Sequence, residues 1–436
     1  MTPTPTPTGA GSPPAAAEPP VGLPRLLAGV AGGGPPMDLL AHLSRHGPLP
    51  ARGRRGPALI EVLERSGLCG RGGAAFPTFR KLAGVAARRG PAVVVGNGTE
   101  GEPASAKDRR LLTAVPHLVL DGAALAARAV GAPDAILAVH PAAAPAVAAA
   151  VAEREARRMD RVRFRVAVPP ERFVTGEASA LVHWINSGVA TPTMRPPHVS
   201  ERGVDHRPTL VDNVETLAHI ALIARHGADW FRTLGTPGDP GSSLVTISGP
   251  VGRPGVYEIS RGMTVREVLQ AARGATEPLQ ALLLGGYFGT WLPSGEAMEL
   301  RLCAEGLRPA GASLGAGVLM ALGVGSCGLV ATARLASYLA DQTAGQCGPC
   351  VHGLAAIAGE LDRLARRAGR VDLERLSRWG REVEGRGACH HPDGAVGMVR
   401  SGLRTFAEEV RLHQAGACSA ASDAPVATGA GAAAGA

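Results

Sequence analysis

Residues 91–103 read PAVVVGNGTEGEP, an apolar run that leads directly into a polar, glycine-containing loop. A short apolar run bounded by such a loop is typical of a buried β-strand. The runs DAILAVHP (134–141) and VRFRVAVPP (162–170) repeat this signal, and Ala-rich segments of helical character lie between them. Because strands and helices alternate, we expect an α/β layered fold over residues 50–235.

The composition limits the classes of protein to which the chain can belong. Its 436 residues are enough for roughly two to four compact domains. Hydrophobic residues make up 45% and aromatic residues 3%, so the cores must consist mainly of Ala, Val and Leu. The formal net charge is +8, but the arginines are scattered, which argues against nucleic-acid binding. The chain opens without the pattern of a signal peptide, so we expect a reducing, cytoplasmic setting in which cysteines bind metal.

A different pattern follows in residues 240–327. A hairpin signal, SSLVTISGPVGRPGVYEIS (242–260), precedes a helix with Thr264 as its cap and a strand at LQALLLGG (279–286). Hairpin, helix and strand in this order predict a small β-grasp domain. The uncharged run 310–333 is interrupted by Gly, Ser and Thr, so it predicts a buried strand followed by a helix rather than a membrane span.

Residues 328–413 have helical periodicity. Leucine and isoleucine recur at helical spacing over residues 354–364, and GMVRSGLRTFAEEVRLH (397–413) predicts a further helix. We therefore expect a helical bundle that carries cysteines. The Pro/Thr/Ala-rich segment 1–22 and the Ala/Gly/Ser-rich tail 414–436 predict disorder.

A glycine-rich loop is the first of four that point to a ligand. In SGLCGRGGAAFPTFRKL (66–82), glycine lets backbone N–H groups approach a phosphate, and Arg71 and Lys81 add positive charge. Phe76 offers a face for stacking on a planar ring. The alternative is an ordinary glycine-rich surface loop. The chain has two lysines, Lys81 and Lys107, and both lie near these loops, which favours specific roles for them.

The other three loops follow strands, where open α/β sheets bind ligands. They are GNGTEGEPASAKDRR (96–110), FVTGEASAL (173–181) and TLVDNVETLAHIAL (209–222). Asn97, Glu100 and Glu102 in the first of them can bind ribose or ribityl hydroxyls. Asp212 and Asn213 stand before a helix, where capping explains them equally well. Together the loops predict a mononucleotide site that recognises a polyol.

These motifs together resemble one family. GRGGAAFPTFRK, NGTEGEPASAKDR, GEAS and DNVET occur in the order found in the NADH- and FMN-binding 51-kDa (F-type) subunit of NADH:quinone oxidoreductase and in related diaphorase subunits of soluble hydrogenases and formate dehydrogenases. The resemblance covers about residues 50–412. It implies a Rossmann-like FMN-binding α/β domain, then a β-grasp (soluble-ligand-binding) domain, then a C-terminal helical iron–sulfur bundle.

The resemblance also implies an activity, that of an FMN-dependent NADH dehydrogenase (diaphorase) subunit. FMN would take a hydride from NADH and pass single electrons to a [4Fe–4S] cluster and on to an acceptor. The implied partner is a thioredoxin-like [2Fe–2S] subunit or another electron-acceptor protein, with no nucleic acid and no membrane span. The implied location is the cytoplasm or the periphery of a membrane complex.

Matching motif positions imply the residues of the site. Those implied to bind cofactor are Gly70, Arg71, Gly72, Gly73, Lys81, Asn97, Glu100, Gly176, Glu177, Arg195, Asp212 and Asn213. Phe76 and Glu102 would face the nicotinamide dinucleotide and take part in catalysis.

Several positions depart from the family pattern. Thr99 stands where the family has Asp, Ala178 where it has Glu, Arg195 where it has Lys and Asp212 where it has Asn. A noncatalytic homologue that retains the fold as a scaffold is therefore the alternative function.

The stretch DQTAGQCGPCVHG (341–353) raises the question of a metal centre. The family pattern is C-x2-C-x2-C followed by a distant cysteine, and Cys347, Cys350 and Cys389 match three of its positions, whereas Ala344 stands at the first. One interpretation is an iron–sulfur cluster, either [4Fe–4S] with a substitute ligand or an incomplete form. A second is a zinc ion bound by the three cysteines and His390. A third is an empty site of buried thiols. The remaining cysteines, Cys69, Cys303, Cys327 and Cys418, are interpreted as small core or tail residues.

Overall fold

The apolar run before the polar loop forms an inner strand of a parallel sheet. The computed structural model describes residues 22–30, 34–50, 56–193 and 197–420. The strands of this sheet are β1 (Val93–Gly98), β2 (Asp134–Val139), β3 (Arg163–Ala167) and β4 (Thr209–Asn213). Their spatial order is β3-β2-β1-β4, and every pairing is parallel. The strand order therefore reverses between β1 and β4, the position at which open α/β sheets bind ligands.

Helices cover both faces of this sheet. They are α1 (Leu39–His46), α2 (Gly56–Ser66), α3 (Thr78–Ala86), α4 (Lys107–Ala114), α5 (Pro116–Val130), α6 (Ala144–Ala156), α7 (Ala178–Ser187), α8 (Val214–His226) and α9 (Ala228–Phe231). Gly122 in α5 lies so close to α8 that an added Cβ would be 1.8 Å from the carbonyl oxygen of Leu217. Only glycine permits this approach, on which the large apolar core on this face depends. On the other face, Leu181 of α7 packs with Val93 and Val95 of β1.

A second, mixed sheet follows. Its elements are β5 (Ser242–Ser248), β6 (Gly255–Ser260), α10 (Val265–Ala271), β7 (Leu279–Leu284), β8 (Thr290–Pro293), α11 (Ser294–Ala297), α12 (Ala304–Leu307) and β9 (Val318–Gly323). The strand order is β6-β5-β9-β7-β8. β5 and β6 form the predicted hairpin, β7 is the predicted strand, and Thr264 caps α10 together with Glu267. The strand predicted in the uncharged run is β9, which lies parallel to β5, so this prediction is confirmed.

The C-terminal region is helical, as predicted. Its helices are α13 (Gly328–Asp341), α14 (Ala355–Ala365), α15 (Leu373–Val383), α16 (His391–Thr405) and α17 (Ala407–Gln414). A π-helical turn, Pro349–Leu354, leads into α14. The prediction of one helix over residues 397–413 is wrong, because the backbone leaves helical geometry at Phe406, whose ring packs edge-on against Trp291.

Two features of the chain outside these layers complete the fold. No single helix in the described part of the chain has the length and apolar character needed to cross a membrane, and α4 and α5 meet that criterion only as a pair bent by 96°. Of the ends predicted to be disordered, residues 1–21 and 421–436 lie outside the described residues. Residues 415–420 are described, and they contact α17 through Ser419, which donates a hydrogen bond to Glu409.

Candidate functional site

Three of the four predicted loops meet where the strand order reverses. Asn97 and Asn213 are register partners at the carboxyl ends of β1 and β4. The Asn213 Nδ2 donates to the backbone oxygen of Asn97 at 3.2 Å. Gly72 of the glycine-rich loop lies against this pair, because an added Cβ would be 3.2 Å from the Asn213 Cβ. The glycine-rich loop (66–82), the loop after β1 (96–110) and the loop at the end of β4 (209–222) thus form one continuous surface.

Asn97 also contacts the remaining loop, residues 173–181. Its Nδ2 donates to the carbonyl oxygen of Gly176 at 2.9 Å, and its Oδ1 accepts from the Thr99 hydroxyl at 2.9 Å. Asn213 uses its Oδ1 to accept the Glu215 N–H at 3.0 Å, so the capping role considered for it is confirmed. Both asparagines therefore position the loops, and their polar atoms are engaged in doing so.

Lys81 reaches the same edge from α3. Its Nζ donates to Asp212 Oδ1 and to the Val211 carbonyl oxygen, both at 3.1 Å. The Lys81 side chain is 36% exposed and that of Asp212 is 1% exposed. Burial raises the pKa of Asp212, and the Lys81 ammonium opposes this rise. An ammonium has three N–H donors, so the third can bind an anion at this edge.

Two predicted ligands use their polar atoms elsewhere. The Arg71 guanidinium is buried and lies 3.7 Å from the Asp239 carboxylate. Glu100 has a φ of 49°, in the left-handed region, and its buried carboxylate accepts the N–H groups of Asp108 at 2.8 Å and Arg109 at 3.1 Å. These two side chains hold the loops together and do not face the open edge of the site.

The second lysine, Lys107, lies beneath the loops. Its Nζ donates to Asp108 Oδ1 at 2.7 Å and to Glu215 Oε2 at 2.9 Å, and it lies 3.4 Å from Asn213 Oδ1. Burial alone would lower the pKa of Lys107, but the two carboxylates hold it above its usual range. Lys107 is thus the centre of a buried ion network that fixes α4 and α8 under the site.

Glu102 joins the polar loop to the second sheet. Its Oε2 accepts the backbone N–H of Tyr287 at 2.8 Å, and its Oε1 accepts that of Ala104 at 3.2 Å. Burial raises the pKa of Glu102 to about 7, although these hydrogen bonds lower it. Such a carboxyl group can hold or release a proton at neutral pH. Phe76 is 45% exposed, so its ring face is available for stacking.

The third loop ends in a helix cap. Glu177 caps α7 by accepting the N–H of Ala180 at 2.8 Å and the hydroxyl of Ser179 at 2.5 Å. Ala178, which replaces the second Glu of the family pattern, is the first residue of α7. Arg195 lies outside the described residues, so its role stays a prediction.

Cys347, Cys350 and Cys389 lie near one another in the helical region. The Cys350 N–H donates to the Cys347 carbonyl oxygen at 3.2 Å. Burial raises the pKa of the Cys350 thiol to about 12, and the charges of Cys347 and Cys389 add to the rise. Burial also raises the pKa of Cys389, and the Glu177 carboxylate adds to that rise. All three thiols are free.

The zinc interpretation does not fit these cysteines. His390 is 98% exposed, and its Nδ1 lies 3.1 Å from Asp393. The ligand atoms of tetrahedral zinc lie within about 4 Å of one another. Within the described residues, one set of three or more His, Cys, Asp or Glu side chains has all its ligand atoms within 4.8 Å of one another. None of the three cysteines belongs to that set. An iron–sulfur cluster spreads its thiolates over several irons, so it has no such requirement.

The segment around Ala344 is attached to the third loop. The Arg172 guanidinium donates to the Thr343 carbonyl oxygen at 2.6 Å, and Gln342 Oε1 accepts the Phe173 N–H at 3.1 Å. The loop that carries Gly176 therefore connects the sheet edge with the cysteines.

One group of side chains was missed by the sequence analysis. Cys327, Glu409, His413 and Cys418 come together in the C-terminal region. The only local signal was the spacing of Glu409 and His413, which places both on one face of a helix. Their distance from Cys327 in the sequence gave no indication of contact.

Known protein families match most of the chain. Residues 63–222 match the family model described as the Nuo51 FMN-binding domain, residues 244–286 the SLBB domain, and residues 330–413 the NADH-ubiquinone oxidoreductase-F iron-sulfur binding region.

Curated relatives give the same result, and three of them are F-type subunits of bacterial NADH-quinone oxidoreductases. The chain is 30% identical to one from Rhizobium meliloti (strain 1021), over 81% of this chain and 88% of the relative. It is 31% identical to one from Streptomyces coelicolor, over 82% of this chain and 83% of the relative. It is 32% identical to one from Mycobacterium tuberculosis (strain H37Rv), over 83% of this chain and 85% of the relative.

Solved structures are similar as well. The crystal structure of an NAD+-reducing [NiFe]-hydrogenase in the air-oxidized state has a TM-score of 0.76 and 33% sequence identity over 82% of this chain. The H2-reduced state gives a TM-score of 0.75 and 32% identity. The match spans 63% and 62% of the two hydrogenase chains, so this chain is similar to a part of each.

Proposed function

The chain belongs to the family of F-type (51-kDa) subunits of NADH-quinone oxidoreductase, and from this premise we propose that it binds FMN at the carboxyl ends of β1 and β4. It is an NADH oxidoreductase subunit that uses FMN, NADH and an iron–sulfur cluster. The family, fold class, activity and cofactors predicted from the sequence are therefore confirmed. The residues of the site and the domain boundaries at 50–235, 240–327 and 328–413 remain proposals.

The observation that carries the proposed FMN position is the pairing of Asn97 with Asn213. Gly72 of the glycine-rich loop lies against Asn213, and Lys81 donates to the adjacent Asp212, so both stand at the edge of the sheet that this pair marks. The N–H groups of Gly70 and Arg71 donate to the Phe76 carbonyl oxygen and the Thr216 hydroxyl, so they fix the loop itself. That leaves the exposed backbone of Gly72 and Gly73 to face the phosphate of FMN.

FMN supplies the exchange of a hydride for two single electrons, and the protein supplies position and charge. Lys81 would bind the phosphate as a point charge. Phe76 would stack on a ring of the dinucleotide at the exposed mouth of the site. Glu102, with a pKa of about 7, would hold a proton beside the site at the boundary with the second sheet.

Three cysteines would bind the cluster. Cys347, Cys350 and Cys389 are free and mutually close, and the third loop connects their region with the sheet edge. Ala344 stands at the first position of the motif, so the remaining iron ligand would be another group or the cluster would be incomplete.

The partner and the location are also proposals. We propose that electrons leave the cluster for a thioredoxin-like [2Fe–2S] subunit or another acceptor protein in the cytoplasm or at the periphery of a membrane complex. The names of the relatives, which are subunits of NADH-quinone oxidoreductases and an NAD+-reducing hydrogenase, support an electron-transfer partner.

A single anaerobic titration tests the proposed function. The purified full chain, supplied with FMN and reconstituted with iron and sulfide, is titrated with NADH. We expect the flavin absorbance to bleach and an electron paramagnetic resonance signal of a reduced cluster to appear. In Cys389→Ser the flavin should still bleach while the cluster signal is lost. A chain that binds FMN but is not reduced by NADH would identify the scaffold alternative.

A further inference from the structure

The group Cys327, Glu409, His413 and Cys418 lies in the helical region, apart from the three cysteines of the iron–sulfur site. Cys327 is the N-cap of α13, Glu409 and His413 lie on α17, and Cys418 follows α17. Their ligand atoms all lie within 4.8 Å of one another, and three of the four residues are buried. We propose that these four side chains bind a structural zinc ion.

The distances match the edges of a zinc tetrahedron. Cys327 Sγ lies 3.4 Å from His413 Nε2 and 3.7 Å from Glu409 Oε2. Glu409 Oε2 lies 3.5 Å from His413 Nε2 and 3.5 Å from Cys418 Sγ. Zinc bonds of about 2.3 Å to sulfur and about 2.0–2.1 Å to nitrogen and oxygen at tetrahedral angles predict edges of about 3.3–3.8 Å. These four separations lie in that range.

The orientation of His413 supports the assignment. The other ring nitrogen, Nδ1, lies 3.0 Å from the carbonyl oxygen of Leu364. A proton on Nδ1 that is donated to this carbonyl leaves the lone pair of Nε2 directed at the centre of the group. A histidine that binds zinc is usually held by such a second hydrogen bond.

The carboxylate and the thiol are held in the same way. Glu409 Oε1 accepts from the Ser419 hydroxyl and from the Ser419 N–H at 3.3 Å, which fixes Oε2 toward the group. Cys327 stands at the N-terminus of α13, where the backbone N–H groups of Leu329 and Val330 act to lower the pKa of its thiol. A helix N-terminus of this kind stabilises a thiolate.

Charge explains why a cation suits this position. Zinc would displace the protons of Cys327 and Cys418 and bind both thiolates, the neutral His413 and the Glu409 carboxylate. Thiolate and imidazole ligands favour zinc over magnesium or calcium. Four protein ligands leave no open position, which is typical of a structural rather than a catalytic site.

Such an ion would fasten the end of the described chain to α13. Leu329, Leu364, Val371 and Val410 form an apolar layer around the group, with Cys418 packed against it. The ion would thereby hold α13, α17 and the segment that carries Cys418 together. This inference does not depend on the proposed position of FMN.

The test uses the full chain, produced with zinc and iron in the medium and purified anaerobically without chelator. Zinc, iron and acid-labile sulfide are measured per chain. We expect about one zinc in the wild type, with two sulfur and two nitrogen or oxygen neighbours in zinc X-ray absorption. Cys418→Ser, at a half-buried position, and His413→Gln should lose zinc about tenfold or more while iron and sulfide stay unchanged.

Matched controls separate the two metal sites. Cys303→Ser removes a buried cysteine outside the group and should keep its zinc. Cys389→Ser should lose iron and sulfide and keep its zinc. Equal zinc in wild type and Cys418→Ser would overturn the proposal. So would zinc that disappears with Cys389 instead, or a Cys327–Cys418 disulfide in a zinc-free anaerobic protein.

Discussion

At the scale of single residues, the two lysines of the chain have different tasks. Lys107 is buried and forms ion pairs with two carboxylates. Lys81 is partly exposed, pairs with one carboxylate and has an N–H that can bind a ligand. If Lys81 binds the FMN phosphate, Lys81→Ala removes a charge-assisted contact of about 1.5–3 kcal/mol. We expect FMN affinity to fall roughly tenfold to a hundredfold, measured by fluorescence titration of the folded apoprotein.

A neighbouring cation provides the control for this prediction. Arg80 lies next to Lys81 on α3 and is exposed. Arg80→Ala changes the net charge by the same amount, so we expect FMN affinity to stay within about twofold. An equal loss in the two variants would mean that overall charge, and not a contact of Lys81, determines the affinity.

Glu102 gives a prediction that depends on pH. Its pKa of about 7 in the folded chain is above the ordinary value of 4.5, so between these values the folded state holds a proton that the unfolded state releases. Stability from this group is therefore present at low pH and lost as the pH rises through the folded pKa. Glu102→Gln lacks this titration. We expect it to gain stability relative to the wild type, on the order of 1–3 kcal/mol, between pH of about 5 and 8.

Urea unfolding of both proteins across this pH range measures the difference. Glu299→Gln, at an exposed carboxylate, serves as the control, because its stability should follow the wild type at every pH. Parallel curves for the wild type and Glu102→Gln would show that Glu102 titrates at an ordinary pKa.

At the scale of elements, sequence patterns predicted the strands and helices better than the contacts of the site residues. Apolar runs identified β1, β2, β3 and β7 because a buried strand needs them. The hydrogen-bond partners of the site residues were harder to predict from the sequence. Glu100 and Arg71 have the residue types of ligands. In the folded chain, Glu100 accepts an N–H at the start of α4, and Arg71 lies beside Asp239. The zinc group was missed because α13 and α17 meet only in the folded bundle.

The segment between α13 and α14 carries the prediction about the cluster. Ala344 stands three residues before Cys347, the same step that separates Cys347 from Cys350. Three thiolates leave one iron without a protein thiolate, so the wild type should bind less iron or a three-iron cluster. Ala344→Cys should raise iron and sulfide to about four each per chain and change the electron paramagnetic resonance signal of the reduced protein.

Metal analysis of anaerobically purified protein measures this outcome. Ala340→Cys, in the last turn of α13, adds a thiol outside the motif and should leave iron and sulfide at the wild-type level. If Ala344→Cys gains no iron and sulfide over the wild type, the first position of the motif is not part of a cluster site.

At the scale of the whole molecule, a short N-terminal segment joins the two sheets. Glu258 on β6 accepts the N–H groups of Arg25 and Leu26 at 2.8 Å and of Leu27 at 3.2 Å. The Arg25 guanidinium lies 4.0 Å above the Trp230 ring and donates to the Trp230 carbonyl oxygen in α9. Glu102 lies on a loop of the first sheet, and the Tyr287 N–H that it accepts belongs to a turn of the second sheet. The contact between them therefore depends on how firmly the two sheets are attached to each other.

Removal of the Glu258 carboxylate should therefore weaken the assembly of the two sheets. Glu258→Ala leaves three part-buried N–H donors without an acceptor, and we expect a loss of about 2–4 kcal/mol in the free energy of unfolding. Scanning calorimetry should show the transition broaden or divide, because the sheets no longer unfold together. Glu299→Ala breaks an exposed pair with Arg266 and should change stability by less than about 0.5 kcal/mol. Equal effects of the two substitutions would show that the N-terminal segment does not hold the sheets together.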